Sequence, residues 1–345
     1  NRVSSHINRG EFSYADCTMD LSVLLPKFRF FCPADPKDTA AWIDVSAWEP
    51  GRYLGAVIAG VLALPKGTAA ALDAAERAGG PEHADTSSSL NNLALIQQTR
   101  GDYAAAETLY TRALANYEKT LGPDDLTTAG TLANLAFLYD LRGEYGKAEP
   151  LFRRALRIQT EALGPDAAAV AVTCNNLAES LRKAGWHEDA ERLFRRGIAI
   201  DEALYGADRL ELAYPLSSLA EIRLAARDFE QADALYARAL KLREKTLGPE
   251  HPLVALTLNN YSAVANAQRD FARAETLLRR AMVIREKALG PDHLETAYTM
   301  NNVAMLRLAQ GDREGAEALL ARVLQTVERA RGAEHPETIA IRKNL

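Results

Sequence analysis

The stretch that decides the fold runs from Gly248 to Gly290 and reads GPEHPLVALTLNNYSAVANAQRDFARAETLLRRAMVIREKALG. It is one copy of a repeat without insertions, because glycines recur at intervals of 42 residues: Gly80, Gly122, Gly164, Gly206, Gly248, Gly290 and Gly332. A fixed period of this length is the signature of proteins built from stacked structural repeats. The sequence therefore predicts six full repeats after Gly80, with a seventh beginning at Ala333.

Each repeat contains two apolar stripes with helical spacing. In repeat one, the first stripe runs from Leu90 to Gln97 and stops at the turn signal Gly101-Asp102. The second runs from Ala106 to Tyr117 and stops at Leu121-Gly122-Pro123, where a glycine and a following proline end a helix. We name the two predicted helices A and B. One pair of short helices cannot bury both stripes, so the pairs must stack into an all-α solenoid.

Columns of equivalent residues indicate how these helices pack. Helix A carries a small residue at one register: Ala94, Ala136, Ala178, Ala220, Val264 and Ala304. Helix B does so without exception: Ala106, Ala148, Ala190, Ala232, Ala274 and Ala316. A larger side chain at these contact points would force the helices apart, at about 1 to 3 kcal/mol per site. The large helix B partners are predicted to be a leucine column: Leu109, Leu151, Leu193, Leu235, Leu277 and Leu319.

Three motifs carry a family resemblance: LNNLA at Leu90 to Ala94, GDYAAAETLYTRAL at Gly101 to Leu114, and LGPDD at Leu121 to Asp125. They resemble the tetratricopeptide repeat (TPR) of the kinesin light chain type, which has the same repeat length, and the resemblance extends from Gly80 onward. It implies a right-handed TPR superhelix whose A helices line a concave groove that binds peptide segments or a partner protein. We therefore expect a protein-protein interaction scaffold.

Composition and charge restrict the partners further. A formal net charge of -5 on 345 residues leaves no basic excess to neutralise phosphates, so nucleic-acid binding is not expected. The longest apolar run, Tyr53 to Pro65, is shorter than the roughly 20 residues that cross a bilayer, so no membrane span is predicted. The cysteines Cys17, Cys32 and Cys174 form neither a disulfide framework nor a metal spacing, which favours a cytoplasmic location.

No motif for catalysis or for a cofactor is found. The sequence has no glycine-rich phosphate loop, no Ser/His/Asp set and no metal-ligand cluster. Histidines recur in the turn between repeats, about a full repeat apart, and are therefore predicted to be turn residues rather than ligands: His83, His251, His293 and His335. We predict no catalytic residue, no metal and no cofactor, and homo-oligomerisation stays open.

Residues 1–67 do not share the period. Short apolar runs at Leu21–Leu25, Phe28–Phe31 and Trp42–Val45 predict strands, and the run from Gly51 to Leu64 suits a helix, an order that suggests part of an α/β domain. The segment from Ala40 to Pro65 weakly resembles the last strand and helix of bacterial TIR domains. That resemblance implies an alternative function, the sensing or regulatory half of a bacterial TIR-type NAD-hydrolysing immune effector. An irregular N-terminal cap on the solenoid is the other interpretation.

The boundaries of the solenoid follow from these patterns. Residues 68–79 precede Gly80 as helix B precedes the other glycines, so they predict a capping helix at the open end of the stack, and residues 80–345 form the solenoid. Because the sequence begins at Asn1 without a methionine, we expect it to be part of a longer chain.

One stripe of helix A, separate from its packing face, is the candidate ligand surface. An asparagine occupies it in five of six repeats, with Ser218 as the exception: Asn92, Asn134, Asn176, Asn260 and Asn302. A side-chain amide has two donors and an acceptor, so a column of amides can hold the backbone of an extended peptide. Alternatively, each asparagine bonds to a neighbouring repeat. Apolar contacts to the ligand are predicted from Leu95, Phe137, Tyr214, Tyr298 and Met305.

Charged and irregular positions modify this surface. Glu179, Arg182 and Lys183 lie in repeat three, and because Lys183 is the only basic residue on the stripe, a clamp for a C-terminal carboxylate is not expected. In repeat four, Pro215 falls inside the predicted helix A, where it would cost about 3 kcal/mol, and Arg227 replaces the turn glycine. A local kink or flexible point is predicted there.

Overall fold

The computed structural model describes residues 29–31, 42–44 and 65–344. Strands β1 (Arg29–Phe31) and β2 (Trp42–Asp44) pair antiparallel, with Phe30 opposite Ile43, and both lie within predicted strands. The strand predicted at Leu21–Leu25 and the helix predicted from Gly51 to Leu64 lie outside the described residues. The resemblance to a TIR domain therefore stays a prediction.

From residue 65 the chain is helical apart from short turns, which confirms the predicted all-α solenoid of helical repeats. Helix α1 (Pro65–Gly79) contains the predicted capping segment. Helices A and B then alternate along the chain: α2 (Ala84–Thr99), α3 (Tyr103–Thr120), α4 (Leu126–Leu141), α5 (Tyr145–Leu163), α6 (Ala168–Lys183), α7 (His187–Tyr205), α8 (Ala213–Ala225), α9 (Phe229–Leu247), α10 (Pro252–Ala267), α11 (Phe271–Leu289), α12 (Leu294–Gln310), α13 (Arg313–Arg331) and α14 (Pro336–Asn344).

The contacts divide the chain into two compact bodies, an N-terminal body of residues 1–204 and a C-terminal body of residues 205–345. In the N-terminal body each helix from α1 to α5 packs on the next helix in sequence, and in the C-terminal body each helix from α8 to α13 does the same. Successive A helices also touch, as α2 touches α4 and α10 touches α12. Neighbouring A helices therefore lie side by side and form a layer, with α2, α4 and α6 in the N-terminal body and α10 and α12 in the C-terminal body.

The core lies where large helix B side chains meet the small-residue columns. Every residue of the two predicted small columns is fully buried, which confirms them as contact points. The predicted leucine column packs against this core, but its leucines are only partly buried. The deepest large side chains are the next residues along helix B: Tyr110, Phe152, Phe194, Tyr236, Leu278 and Leu320.

The residues that follow the leucines are the more deeply buried ones because the alanines leave space for their large side chains. The Tyr110 ring packs against Ala94 and Ala106, and the Tyr236 ring occupies the same place beside Ala220 and Ala232. Consecutive helical residues point about 100° apart. The leucine column and the column that begins at Tyr110 therefore both face apolar neighbours, but only the Tyr110 column points into the gap between paired helices. An apolar stripe alone does not distinguish the two.

The periodic glycines end helix B in a conformation that other residues avoid. Their φ angles lie between 87° at Gly206 and 102° at Gly122, and the ψ angle at Gly164 is 160°. This backbone region is essentially restricted to glycine, because a Cβ atom would clash. The 42-residue glycine period is therefore a requirement of the turn between repeats.

The turn between helices A and B also has a left-handed residue, and in two repeats it is an arginine. Arg227 and Arg269 both have φ of 61°, where the other repeats have glycine. The turn hydrogen bond is unchanged, since the Asp270 amide donates to the Ala265 carbonyl at 2.9 Å, as the Asp102 amide does to the Gln97 carbonyl. The exchange for arginine therefore leaves the turn geometry intact and adds backbone strain.

Replacing Arg269 by glycine should raise the free energy of unfolding by about 1 kcal/mol, because a non-glycine residue with left-handed φ costs at least about that much. The Arg269 side chain is exposed, so its removal loses no packing. Urea denaturation followed by far-UV circular dichroism measures the change. The reciprocal control, Gly143→Arg, should lower stability by a similar amount, and an equal response of both variants would contradict the argument.

Repeat four accommodates Pro215 by changing how its A helix begins. Leu210–Leu212 form a 3-10 turn, and α8 starts at Ala213, so Pro215 is the third residue of the helix. Amides in the first turn have no partner within the helix, and a missing N–H costs little there. Repeat four therefore differs from the others in where its A helix starts. Because Pro215 lies in the first turn and not in the helix interior, it does not require the predicted kink.

Candidate functional site

The histidines in the turns cap the A helices. The Nδ1 atoms of His83, His251 and His293 each accept the backbone N–H two residues later, at 3.1 to 3.3 Å. Asp125 makes the equivalent bond in repeat two at 2.7 Å. The prediction that these histidines are turn residues is confirmed. The described part of the chain holds no group of three or more metal-ligating side chains arranged for an ion.

The cap at His251 predicts a pH dependence of stability. Burial, with a smaller effect of the Arg243 charge, lowers the pKa of His251 in the folded chain. Below about pH 6.5, the ordinary pKa of histidine, residue 251 therefore binds more protons in the unfolded chain than in the folded chain. The cap's contribution of about 1 kcal/mol is therefore present above that pH and lost as the pH falls through the folded-state pKa.

The test replaces His251 with aspartate, which copies Asp125 and does not titrate near pH 6. We expect urea denaturation of the native chain to show lower stability at pH 5.5 than at pH 7.5, and His251→Asp to reduce that difference by about 1 kcal/mol. If the free energy of unfolding changed equally with pH in both proteins, the His251 cap would be excluded as a source of the pH dependence.

The predicted asparagine column lies on the A helices, with two kinds of environment. Asn134 and Asn176 are 6% and 9% exposed, whereas Asn92, Asn260 and Asn302 are half-buried. The first two side chains therefore offer little surface to a ligand, and the other three offer more.

Part of the column joins adjacent repeats, as the alternative interpretation proposed. The Asn134 amide donates to Asn91 Oδ1 at 3.2 Å, and the Asn302 amide donates to Asn259 Oδ1 at 3.0 Å. These bonds use one of the hydrogen-bonding groups that each asparagine offers. The column thus stabilises the layer of A helices and keeps unused donors and acceptors.

Other asparagines differ because their neighbours differ. The Asn260 amide donates to Glu221 Oε1 at 3.2 Å, because Glu221 extends toward it from the preceding A helix. Repeat two, which precedes Asn176, has Ala133 at the position that Asn91 holds in repeat one, so it offers Asn176 no equivalent amide. Within residues 65–344, the side chains of Asn92 and Asn176 make no hydrogen bond to another residue.

The basic residues predicted for this surface are paired with buried carboxylates. Lys183 Nζ lies 2.8 Å from Asp140 Oδ2, and Arg182 donates to both Glu179 oxygens at 2.7 and 3.0 Å. Both carboxylate side chains are buried. Burial alone would lower the pKa of Lys183, but the hydrogen bond and charge of Asp140 and the charge of Glu179 raise it overall. The Lys183–Asp140 pair connects α6 to α4, whereas Arg182 and Glu179 both belong to α6.

The predicted apolar contacts differ widely in accessibility. Phe137 is buried, so most of its ring belongs to the core rather than to a ligand surface. Leu95, Tyr214 and Tyr298 are partly buried. Met305 is 41% exposed, and Ala263, one repeat earlier on the same stripe, is also exposed. The accessible part of the stripe is therefore clearest on α10 and α12.

In the C-terminal body this stripe borders a shallow depression of about 240 Å³, lined by Glu221, Leu224, Tyr236, Asn259, Asn260, Ala263 and Asn302. It brings together two predicted residues, Asn260 and Asn302. Sequence analysis missed Leu224 and Tyr236. Tyr236 belongs to helix B and stacks on Tyr261 with ring centroids 5.5 Å apart, so no pattern within helix A could place it here.

Comparison with known proteins gives the family. A family model described as tetratricopeptide repeat matches residues 69–119, 96–161, 127–203, 211–287 and 254–326. No curated protein matches the chain. Among the described helices, none combines the length and the hydrophobicity that a bilayer crossing requires.

Solved structures share the fold at low sequence identity. BtubC (BKLC) from P. vanneervenii is 23% identical, with a TM-score of 0.53, over 68% of this chain and 92% of that one. The kinesin light chain TPR-like repeats of Podosopora anserina are 21% identical, with a TM-score of 0.52, over 60% and 98%. RapI in its apo form is 16% identical, with a TM-score of 0.60, over 71% and 84%. By its matched residues and its paired helices, the chain belongs to the tetratricopeptide repeat family, and its repeats are like those of kinesin light chains.

Proposed function

We propose that this chain is an interaction scaffold that binds an extended segment of a partner protein along its A-helix layer. Repeats of this family generally form such scaffolds. The observation that carries the proposal is the depression in the C-terminal body, where the half-buried amides of Asn260 and Asn302 stand one repeat apart. The exposed side chains of Ala263 and Met305 lie on the same two helices.

The spacing of the amides suits an extended peptide. Packed helices lie about 8 to 10 Å apart, which is the length of about three residues of an extended strand. A peptide that crosses the A helices would therefore bring a backbone group near each successive asparagine. Recognition through the backbone is tolerant of sequence, and side chains beside the amides then add selectivity.

Hydrogen bonds alone are too weak for this function. Each amide contributes about 1 kcal/mol net, whereas a micromolar complex requires about 8 kcal/mol. Burial of apolar surface must supply the remainder, and Tyr214, Tyr298 and Met305 offer it in the C-terminal body. Glu221 is the only charged residue that lines the depression, so a neutral or basic segment fits it better than an acidic one.

The experiment changes exposed residues only, so that binding is separated from folding. Tagged chains carrying Ala263→Arg or Met305→Glu are compared with the native chain in quantitative affinity capture from cells. The matched control is Val283→Glu, because Val283 is a 58% exposed apolar residue on helix B of the same body. We expect captured partners to fall at least about tenfold for both stripe variants and to stay unchanged for the control. Equal capture by all four proteins would reject the groove.

A further inference from the structure

A row of arginines repeats along the B helices, and each reaches the turn that precedes its own repeat. Their guanidinium groups donate to a backbone carbonyl at 2.8 to 3.3 Å, in the pairs Arg154 with Pro123, Arg196 with Pro165, Arg238 with Ala207, and Arg280 with Pro249. Arg154 and Arg280 also pair with a glutamate from the preceding B helix. Glu118 Oε1 lies 2.5 Å from Arg154 Nη1, and Glu244 Oε1 lies 2.6 Å from Arg280 Nη1.

Arg196 lacks this carboxylate. Thr160 stands at the position that Glu118 and Glu244 occupy in their repeats. The Thr160 hydroxyl donates to the Leu156 carbonyl at 2.7 Å. In the described ranges no aspartate or glutamate pairs with Arg196, and its one hydrogen bond is to the Pro165 carbonyl at 3.3 Å. A guanidinium has five N–H donors, so most of those on Arg196 remain unused.

The same guanidinium lines a depression of about 330 Å³ between helices α5 and α7, which is larger than the one on the A-helix stripe. Four arginines and one glutamate line it, together with three leucines and the threonine: Arg153, Leu156, Arg157, Thr160, Glu161, Leu177, Arg192, Leu193 and Arg196. Basic groups and apolar surface are thus combined in one cavity.

The other three arginines are held in place by acids around the cavity. Arg157 Nη2 lies 2.6 Å from Asp124 Oδ1, and Arg157 Nη1 lies 2.8 Å from Glu161 Oε2. Both carboxylates are exposed to solvent. Arg192 lies 2.8 Å from Asp189, and Arg153 pairs with Glu149 and with Asp189. Exposed pairs of this kind are weak and screened by salt, but they orient the guanidinium groups. Arg196 is the arginine of this group whose acid is missing.

We propose that this depression is a binding site for one oxyanion group, a carboxylate or a phosphate, which takes the place of the missing glutamate at Arg196. The planar guanidinium presents parallel N–H donors that match two oxygens of either group. An apolar portion of the ligand would lie against Leu156 and Leu193. The site is formed around the B helices, so it is independent of the proposed peptide groove.

The test uses NMR titration of the full chain with inorganic phosphate and, separately, with acetate, at constant ionic strength. The signals followed are the Arg196 Nε–H and the Thr160 backbone amide. Thr160→Glu supplies the carboxylate that Glu118 supplies to Arg154, so it should fill the site without loss of stability. Thr160→Ala is its control. Arg196→Leu removes the binding group, and Arg195→Leu is the control for net charge, because Arg195 pairs with Glu191 and does not line the cavity.

We expect saturable shifts in the native chain, an affinity at least about tenfold lower in Thr160→Glu and Arg196→Leu, and changes below about twofold in both controls, because charge-assisted bonds to Arg196 dominate. Saturation with phosphate alone would identify a phosphoryl ligand, and saturation with both anions would include carboxylates. Three results would overturn the proposal: shifts that grow in proportion to anion concentration without saturation, undiminished binding by Thr160→Glu, or equal losses in Arg195→Leu and Arg196→Leu.

Discussion

Replacement of Phe152 by alanine is expected to lower the free energy of unfolding by about 3 to 5 kcal/mol, the usual cost of emptying an aromatic site in a core. The Phe152 ring is fully buried in helix B of repeat two. Replacement of its neighbour Leu151 should cost only about 1 to 2 kcal/mol, because that side chain is partly exposed and loses less buried area. Urea denaturation followed by far-UV circular dichroism measures both values.

The comparison of Phe152 with Leu151 decides which column of helix B forms the deepest layer. The two residues are adjacent in one helix, so differences in helix propensity or in the unfolded chain are small. Equal losses would mean that the leucine column shares the core fully. A larger loss at Leu151 would contradict the packing described here.

Replacement of Lys183 by methionine is expected to lower the free energy of unfolding by about 3 kcal/mol, because it leaves Asp140 charged without its partner. The side chain of Asp140 is only 4% exposed, and Lys183 Nζ is its cationic contact at 2.8 Å. Removal of one member of a buried pair is costly because the remaining charge has lost its water and gains nothing in return.

The double variant Asp140→Leu, Lys183→Met should recover stability to within about 1 kcal/mol of the native chain, since replacing both charges by apolar groups is often neutral. Leu141 occupies the position of Lys183 in repeat two, and Leu224 occupies the position of Asp140 in repeat four. Leucine-sized side chains therefore fit both positions. Denaturation of the single and double variants under the same conditions gives the comparison. A loss below about 0.5 kcal/mol for Lys183→Met would show that solvent screens the pair.

The same burial governs how the proposed groove can be tested. Changes at Asn134, Phe137 or Glu179 would alter packing or a buried charge as well as any ligand contact. Changes at Ala263 and Met305 affect exposed surface, so a loss of binding there is informative about the ligand. The C-terminal body is therefore the better place to examine peptide recognition.

Most of the fold could be predicted from the sequence because its information is local and repeated six times. The glycine period determines where each helix pair ends, since only glycine suits a φ near 90° with an extended ψ. The alanine columns determine how closely the helices approach, and they are buried as predicted. The asparagine stripe was likewise placed on helix A by simple helical counting.

Only the tertiary structure decided what these residues contact. Whether Asn134 bonds to Asn91, whether Tyr236 lines the depression beside the stripe, and whether Arg196 has an acid all depend on pairs of side chains from different helices. A rotation of one residue along helix B exchanges Leu109 for Tyr110 in the core without changing the apolar pattern. Periodicity therefore determined the repeat, and the rotation and pairing of helices across repeats determined the surfaces available for binding.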